Sequence, residues 1–314
     1  MTDVRDSDTG LPARRPGAEA SAPAIRQSAS GFPVRTPTAR LVQPGGRHRR
    51  PVPASLPEGA PALILAVPSA GEDGLSGATA EIATILRVDN PALDVRTARI
   101  DHGGRGDPCG IRAVLDDAAA RRPAGALSAV VVPQLVTPHL ATVRVLREAI
   151  GASDANATIA EVFNTNALLA EALHIRLADA GLARADRVRM FSITTSADGI
   201  IVATVGGEEA VGFANVTAIL LAARLALPVF AASLDGGTPT IEDAAARLEA
   251  MGVTRIAIAP CVVGPEVGPA AIETAAAAVG AKCAAPLGAH GNVVKLISQA
   301  YGQALSQLET LDGT

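Results

Sequence analysis

A nine-residue segment occurs twice in this chain, in related form. The first copy is 131–139 (VVPQLVTPH) and the second is 258–266 (IAPCVVGPE). Each passes from an apolar strand into a Pro-x4-Pro loop, places a potential metal ligand directly after the second proline, and leads into an alanine-rich helix. That ligand is His139 in the first copy and Glu266 in the second. A repeat of this kind predicts a duplicated α/β unit, and hence two similar lobes that face a shared cleft.

The composition limits the partners of the folded part. Apolar residues make up 48% of the 314 residues but aromatic residues only 2%, so the core must consist of Ala, Val, Leu and Ile. Nucleic-acid surfaces that stack bases need aromatic side chains, and their scarcity argues against such a role. Residues 1–55 contain nine Arg and four acidic residues, whereas the whole chain has a net charge of -4. The remainder is therefore acidic, and we expect no nucleic-acid partner.

The chain lacks the sequence signals of export or membrane insertion. It has three cysteines without a CxxC pair, which favours a reducing compartment. No uninterrupted apolar stretch reaches the length of a membrane helix, and the N-terminus has no apolar signal core. We expect a cytoplasmic protein without a membrane partner.

Three ranges differ in their pattern. Residues 1–60 are rich in Arg and Pro and have almost no apolar periodicity, which predicts a disordered tail. From residue 62, short apolar strands alternate with amphipathic helices, a pattern typical of parallel sheets covered on both faces. The prediction is an α/β fold of two similar lobes, 61–184 and 185–314, each a parallel sheet with helices on both faces. Strands are predicted at 63–67, 95–100, 129–132 and 158–163, and then at 188–194, 228–234, 255–262 and 282–287.

In open parallel sheets, ligands bind beyond the carboxyl ends of the strands. This rule selects five loops, at 68–74, 101–110, 134–139, 195–209 and 261–268. Gly206-Gly207 followed by two Glu is typical of a helix start, although an anion-binding glycine loop stays an alternative. GxGxxG and GxxxxGK[ST] are both absent, which disfavours nucleotide binding.

The order of elements resembles the two-repeat, CbiX-like sirohydrochlorin chelatases. The segments that carry the resemblance are 63–67 (LILAV), 130–133 (VVVP), 168–173 (LLAEAL) and 286–290 (PLGAH). It covers roughly residues 62–305 and implies the class II chelatase fold. It also implies insertion of a divalent metal ion, Co2+, Ni2+ or Fe2+, into a sirohydrochlorin-type tetrapyrrole, as in cobalamin or siroheme synthesis. No organic cofactor is implied, and the metal is a substrate.

The resemblance implies roles for several residues. His139 would act as metal ligand and base, because neutral imidazole suits these metals and titrates near neutral pH. Asp101 would accept protons or orient the metal. His102 and Glu266 are further candidate ligands.

The macrocycle carries carboxylates, which need basic partners at the cleft rim. Candidates are Arg99, Arg105 and Arg144. Because the repeat supplies two lobes in one chain, the sequence is compatible with a monomer.

One departure from the family leaves the activity open. The family's first strand usually ends in His-Gly, whereas this chain has Pro68-Ser69. The leading hypothesis is a chelatase, a lyase. The alternative is a non-catalytic carrier or regulatory descendant that binds a tetrapyrrole or metal.

Other residues are assigned structural roles. His290 and its repeat counterpart Asn166 are expected to cap helices, and Cys261 is expected to be a buried thiol rather than a soft ligand. His174 lies within a predicted helix, opposite a leucine face, and is expected at the surface.

Overall fold

The computed structural model describes residues 59–68, 75–100, 107–161, 163, 166–184 and 196–312. The predicted tail lies almost entirely outside these ranges, and so does the strand predicted at 188–194. The described residues all belong to one compact unit. None of the helices in the described ranges is long and apolar enough to cross a membrane.

The first lobe is built on a four-stranded parallel sheet in the order β2-β1-β3-β4. Its strands are β1 (Ala62–Pro68), β2 (Val95–Ile100), β3 (Ala129–Pro133) and β4 (Ala157–Ile159). The helices that follow them in turn are α1 (Ala78–Asp89), α2 (Ile111–Ala120), α3 (Leu140–Gly151) and α4 (Ala167–Asp179). Strands β1 and β3 are apolar and almost wholly buried, as expected of central strands with helices on both faces.

The second lobe repeats this topology, because its parallel sheet has the order β6-β5-β7-β8. Its strands are β5 (Gly199–Thr204), β6 (Val229–Ser233), β7 (Ile256–Pro260) and β8 (Lys282–Cys283). The helices are α5 (Gly207–Leu225), α6 (Ile241–Ala250), α7 (Pro269–Ala278) and α8 (Gly291–Asp312). The predicted two-lobed α/β fold is therefore confirmed.

The two sheets have the same register, so residues of the first lobe can be matched one to one with residues of the second. Ala66 of β1 pairs with Pro133, and Ala203 of β5 pairs with Pro260. The amide after each proline then donates to the same central-strand alanine, Gln134 N to Ala66 O at 2.8 Å and Cys261 N to Ala203 O at 2.7 Å. Each proline lacks an N–H group, but it is the last residue of its strand, where one missing donor does not interrupt the hydrogen bonds between the strands.

The last helix of each lobe packs against the other lobe. Helix α8 packs against β3, α1 and α4, and α4 packs against β7 and α5. Tyr301 Oη on α8 donates to Pro61 O, just before β1, at 2.6 Å. Arg176 Nε on α4 donates to Leu287 O, just before α8, at 3.2 Å. A single apolar core consequently joins residues of β1, β3, β5 and β7 with α1, α4, α5 and α8.

Each lobe also has a core of its own on its outer face. Leu115 of α2 and Leu146 of α3 pack on Ile64 and Val131 in the first lobe. In the second lobe, Leu248 of α6 and Ala276 of α7 occupy the equivalent side of the sheet. The central core therefore fixes the two sheets relative to each other and brings their loops together.

Candidate functional site

His139 lies at the start of α3, directly beyond the carboxyl end of β3. It is the N-cap of α3, with an extended backbone, and its side chain is half-buried. Nδ1 lies 2.6 Å from Thr142 Oγ1 and 3.3 Å from Thr142 N. The imidazole therefore replaces the Asp, Asn, Ser or Thr usual at this position and partners an amide at the open end of the helix.

The His139 ring faces the second lobe. Its Cδ2 atom lies 3.3 Å from where a Cβ on Gly206 would be, and Pro138 O lies 2.9 Å from the same point. Thr137 Oγ1 lies 3.0 Å from Thr204 Oγ1, and Thr137 donates to Val205 O at 3.1 Å. The loop after β3 is thus joined to the carboxyl end of β5, and His139 lies where the two lobes meet.

The tautomer of His139 determines what Nε2 can do. With the proton on Nδ1, the ring donates to Thr142 Oγ1, and the Nε2 lone pair is available to a metal ion or a proton. With the proton on Nε2, Nδ1 accepts from Thr142 and Nε2 is only a donor. Rotation of the Thr142 hydroxyl suits either state, but the hydrogen bond from Thr142 N to Nδ1 exists only when the proton is on Nε2.

Asp235 follows β6, and the sequence did not predict it as a site residue. Its carboxylate accepts from Gly206 N at 2.7 Å, from Gly207 N at 3.3 Å and from Ser233 Oγ at 2.6 Å. Burial opposes ionisation, but the hydrogen bonds from Ser233 and the two glycine amides outweigh it and lower the pKa of Asp235. The anion at this glycine turn, at the N-terminus of α5, is therefore the protein's own carboxylate.

Asp235 is the counterpart of Asp101 in the repeat. Ala98 of β2 is equivalent to Ala232 of β6, because each pairs with the central-strand alanine whose partner is the strand-end proline. Asp101 and Asp235 each come three residues later. The same register makes Val205 the counterpart of Pro68.

Three of the predicted site residues, Asp101, His102 and Arg105, lie outside the described residues. Arg99 is described, and its guanidinium is held by Asp107, with Nη2 2.5 Å from Oδ2. The hydrogen bond from Arg99 is the main reason that the pKa of Asp107 is lowered. Arg144, on the exposed surface of α3, makes no ion pair with another described residue.

Glu266 folds back onto its own loop. Its carboxylate accepts from Val263 N at 2.8 Å and from Gly264 N at 2.6 Å. Burial raises the pKa of Glu266 to about 7, although the two amides favour the charged form. Burial also raises the pKa of the neighbouring Cys261 thiol to about 12. Cys261 is buried, as predicted, and a protonated thiol is a poor metal ligand.

The counterpart of Cys261 in the first lobe is Gln134. Its side chain is fully buried, and Oε1 accepts from Thr79 Oγ1 on α1 at 3.0 Å. Its Nε2 atom has no hydrogen-bond partner in the described part of the chain. The two copies of the loop therefore differ in polarity beneath the position of His139 and Glu266.

The structural roles predicted for His290 and Asn166 are confirmed. His290 Nδ1 accepts from Asn292 N at 3.1 Å at the start of α8, and Asn166 Oδ1 accepts from Leu168 N at 3.0 Å at the start of α4. The surface position predicted for His174 is wrong. His174 is buried, with Nδ1 accepting from Arg224 Nε at 2.8 Å and Nε2 2.6 Å from Arg184 O, because α5 covers this side of α4.

Within the described ranges, no three His, Cys, Asp or Glu side chains are grouped so that they could hold a metal ion. His139 and Glu266 have no contact with each other among the hydrogen bonds described. The predicted ligand set of His139, His102 and Glu266 accordingly stays a prediction, since His102 is outside those ranges.

No protein-family model and no curated protein sequence matches this chain. Solved structures do match it. SirB from Bacillus subtilis with Fe3+ is 14% identical, with a TM-score of 0.61 over 79% of this chain and 96% of that one. The sirohydrochlorin chelatase SirB from Bacillus subtilis subspecies spizizenii, in complex with cobalt, is 12% identical, with a TM-score of 0.53 over 80% of this chain and 97% of that one.

A third structure is CbiX, described as the terminal enzyme for biosynthesis of siroheme in denitrifying bacteria. It is 18% identical, with a TM-score of 0.50 over 78% of this chain and 99% of that one. At such identities the likeness shows the fold alone. This chain therefore has the class II chelatase fold that the order of its elements predicted.

Proposed function

We propose that this protein binds a sirohydrochlorin-type tetrapyrrole between its lobes and inserts a divalent metal ion, Co2+ or Fe2+, into it. The observation that carries the proposal is the position of His139 in this fold. It lies beyond the carboxyl end of a central strand, where the two lobes meet, in a fold shared along nearly the full length of structures with bound iron and cobalt. Open parallel sheets bind their ligands at such a position.

His139 would hold the metal ion through Nε2 and then receive a pyrrole proton at the same atom. Insertion exchanges two pyrrole protons for one divalent cation, so the site needs a base as well as a ligand. Loose ligation suits this exchange, because a closed four-ligand site would retain the metal. Thr142 supports both steps, since its hydroxyl oxygen can accept from Nδ1–H while Nε2 holds the metal ion or the proton.

Asp101 would take the second proton or orient the metal ion. Its counterpart Asp235 illustrates how a carboxylate at this position in the repeat can be held by a neighbouring loop. His102 would add a second imidazole beside it. Glu266, with a pKa raised to about 7 by burial, can exchange a proton near neutral pH, and it is the proposed acid–base group of the second lobe.

Arginines at the rim would bind the carboxylates of the macrocycle. Arg144 is the better placed of the two described candidates, because it is exposed on α3, five residues after His139, and no described acidic residue holds it. Arg99 would have to exchange Asp107 for the ligand. Arg105 is proposed on its place in the sequence alone.

A non-catalytic tetrapyrrole or metal carrier is the second candidate. Pro68 favours it, because a proline at the end of β1 offers neither a ligand nor a base. A single imidazole at the lobe contact could bind a macrocycle or metal ion without completing insertion.

Anaerobic incubation with sirohydrochlorin and Co2+ or Fe2+ separates the two, with the absorption spectrum followed over time. An enzyme raises the insertion rate above that of a protein-free mixture, and His139→Asn lowers it by about 100-fold or more. Asparagine can still cap α3, so the loss reports the imidazole rather than the helix.

His290→Asn is the matched control, because His290 also caps a helix through Nδ1. It should insert metal at the wild-type rate. Co-elution of the pigment with the protein without insertion would instead support the carrier. If the protein neither binds the pigment nor inserts metal, both candidates are refuted.

A further inference from the structure

Helix α5 has an apolar face that no other described part of the chain covers. Its inner side chains, such as Val211, Ala214 and Leu221, are buried in the central core. Its outer side nevertheless exposes Val216, Ile219 and Leu220, with Ile219 67% exposed. A helix that is apolar on all sides is normally covered on all sides.

The exposed residues form one continuous stripe. At 3.6 residues per turn, Gly212, Val216, Ile219, Leu220 and Ala223 fall within about 100° of the helix circumference. All five are exposed. The width is that of a helix face that packs on another element, not of scattered surface residues.

We propose that this stripe is the contact between two copies of this chain, with the two α5 helices packed antiparallel about a two-fold axis at Val216. In this arrangement Leu220 of each copy lies opposite Gly212 of the other. A Cβ at Gly212 would have no atom within 4 Å, so open space is available there for the partner's leucine. A two-fold contact requires such self-complementarity, since the same patch serves both subunits.

The charges at the ends of α5 agree with the same axis. Glu208, in the first turn, is exposed, and Arg224, in the last turn, is 37% exposed in its side chain. They lie about 24 Å apart along the helix and equally far from Val216. An antiparallel pair therefore brings Glu208 of one copy to the same height as Arg224 of the other at both ends, on the two edges of the stripe, and it also opposes the two helix dipoles.

Arg224 can serve both contacts. Its Nε donates to His174, and Nη2 lies 3.8 Å from Glu171, which leaves further guanidinium N–H groups for the partner's carboxylate. The inner contacts hold the side chain in place, which lowers the entropy lost when the second copy binds.

Sedimentation equilibrium of the full chain tests the proposal. The wild type should have twice the 31.6 kDa mass of one chain at micromolar concentrations. Ile219→Lys should raise the dissociation constant at least about tenfold, because the contact would bury an unpaired charge. Val88→Lys is the matched control and should stay dimeric, since Val88 is 72% exposed on α1. A monomeric wild type would overturn the proposal, whatever else covers α5.

Cross-linking tests the axis itself. In a Cys109→Ser background, which removes the exposed native thiol, Val216→Cys should form an intermolecular disulfide on mild oxidation because position 216 faces itself. Val88→Cys in the same background should not. A dimer that Val216→Cys fails to cross-link, or that Ile219→Lys leaves intact, would place the contact elsewhere. These results do not depend on chelatase activity.

Discussion

Thr137 and Thr204 share a hydrogen bond of 3.0 Å between their hydroxyl groups, and this bond joins the repeated loop of the first lobe to the central strand of the second. Both side chains are buried. Thr137 also donates to Val205 O, so its hydroxyl connects two polar groups at the end of β5. The pair holds the loop that carries His139 against the other lobe.

Replacement of these threonines should reveal their coupling. Thr204→Val exchanges a hydroxyl for a methyl and should lower the free energy of unfolding by about 1 kcal/mol. Thr137→Val should cost more, because Val205 O loses its donor as well. The double variant should cost less than the two single changes together. Urea unfolding followed by circular dichroism measures all three, and strictly additive losses would show that the two hydroxyls act independently.

Gly206 of the second lobe lies close to the His139 ring of the first. It has a φ of 113°, and a Cβ there would lie 2.9 Å from both Pro138 O and Ala210 Cβ. Gly206→Ala should therefore lower the free energy of unfolding by about 2 kcal/mol or more and displace the His139 ring. Urea unfolding measures the first effect, and the chemical shifts of the imidazole measure the second.

Gly207→Ala separates the cost of backbone strain from the cost of a steric clash. Gly207 also has a positive φ, 74°, but a Cβ there would meet no atom within 4 Å. It should cost about 1 kcal/mol from backbone strain alone. Equal losses for the two variants would mean that close contact with Pro138 has no energetic consequence.

The sequence predicted the lobes, and most strands to within a few residues, because buried parallel strands are short apolar runs between turn residues. It failed at β5. The run at 199–204 (GIIVAT) was assigned to a ligand loop, since the strand was expected at 188–194. That error hid Asp235, because the match between Asp101 and its repeat counterpart depends on which strand is central.

Contacts between lobes left no signal in the sequence. The pattern of α4 shows one leucine face, and nothing in it indicates that α5 covers His174 or that α8 packs on β3. Tertiary packing, not local sequence, determines which helix of one lobe packs against the other. The capping roles of Asn166 and His290 could be predicted, by contrast, because a cap is a local feature.

Asp235 should stabilise the fold at neutral pH but not in acid. Its folded-state pKa lies below the unfolded value of about 3.9. Its contribution is therefore present above that value and is lost as the pH falls through the folded-state pKa. Asp235→Asn should cost about 1–2 kcal/mol at pH 7, because the amide group cannot accept from both glycines, and the deficit should shrink near pH 3.

The exposed Asp154 provides the comparison for this experiment. Asp154→Asn should leave the urea midpoint unchanged at both pH values. A deficit for Asp235→Asn that is equal at pH 7 and pH 3 would show that the charge on Asp235 contributes nothing.

Glu266 should have the opposite effect on the dependence of stability on pH. Its folded-state pKa is raised to about 7 by burial, whereas the unfolded value is about 4.3. Between these values the folded chain binds the extra proton, so the free energy of unfolding should rise as the pH falls from about 7 to about 4.3. Glu266→Gln removes the titrating group and should flatten this part of the profile.

Urea midpoints measured from pH 4.5 to pH 8 test this prediction. Glu273→Gln, at an exposed carboxylate on α7, is the control and should keep the wild-type slope. The prediction fails if the free energy of unfolding of the wild type decreases as the pH falls from about 7 to about 4.3, or if Glu266→Gln leaves the slope unchanged. Either result would show that this carboxyl group is ionised throughout and would remove Glu266 from the proposed proton-exchanging groups.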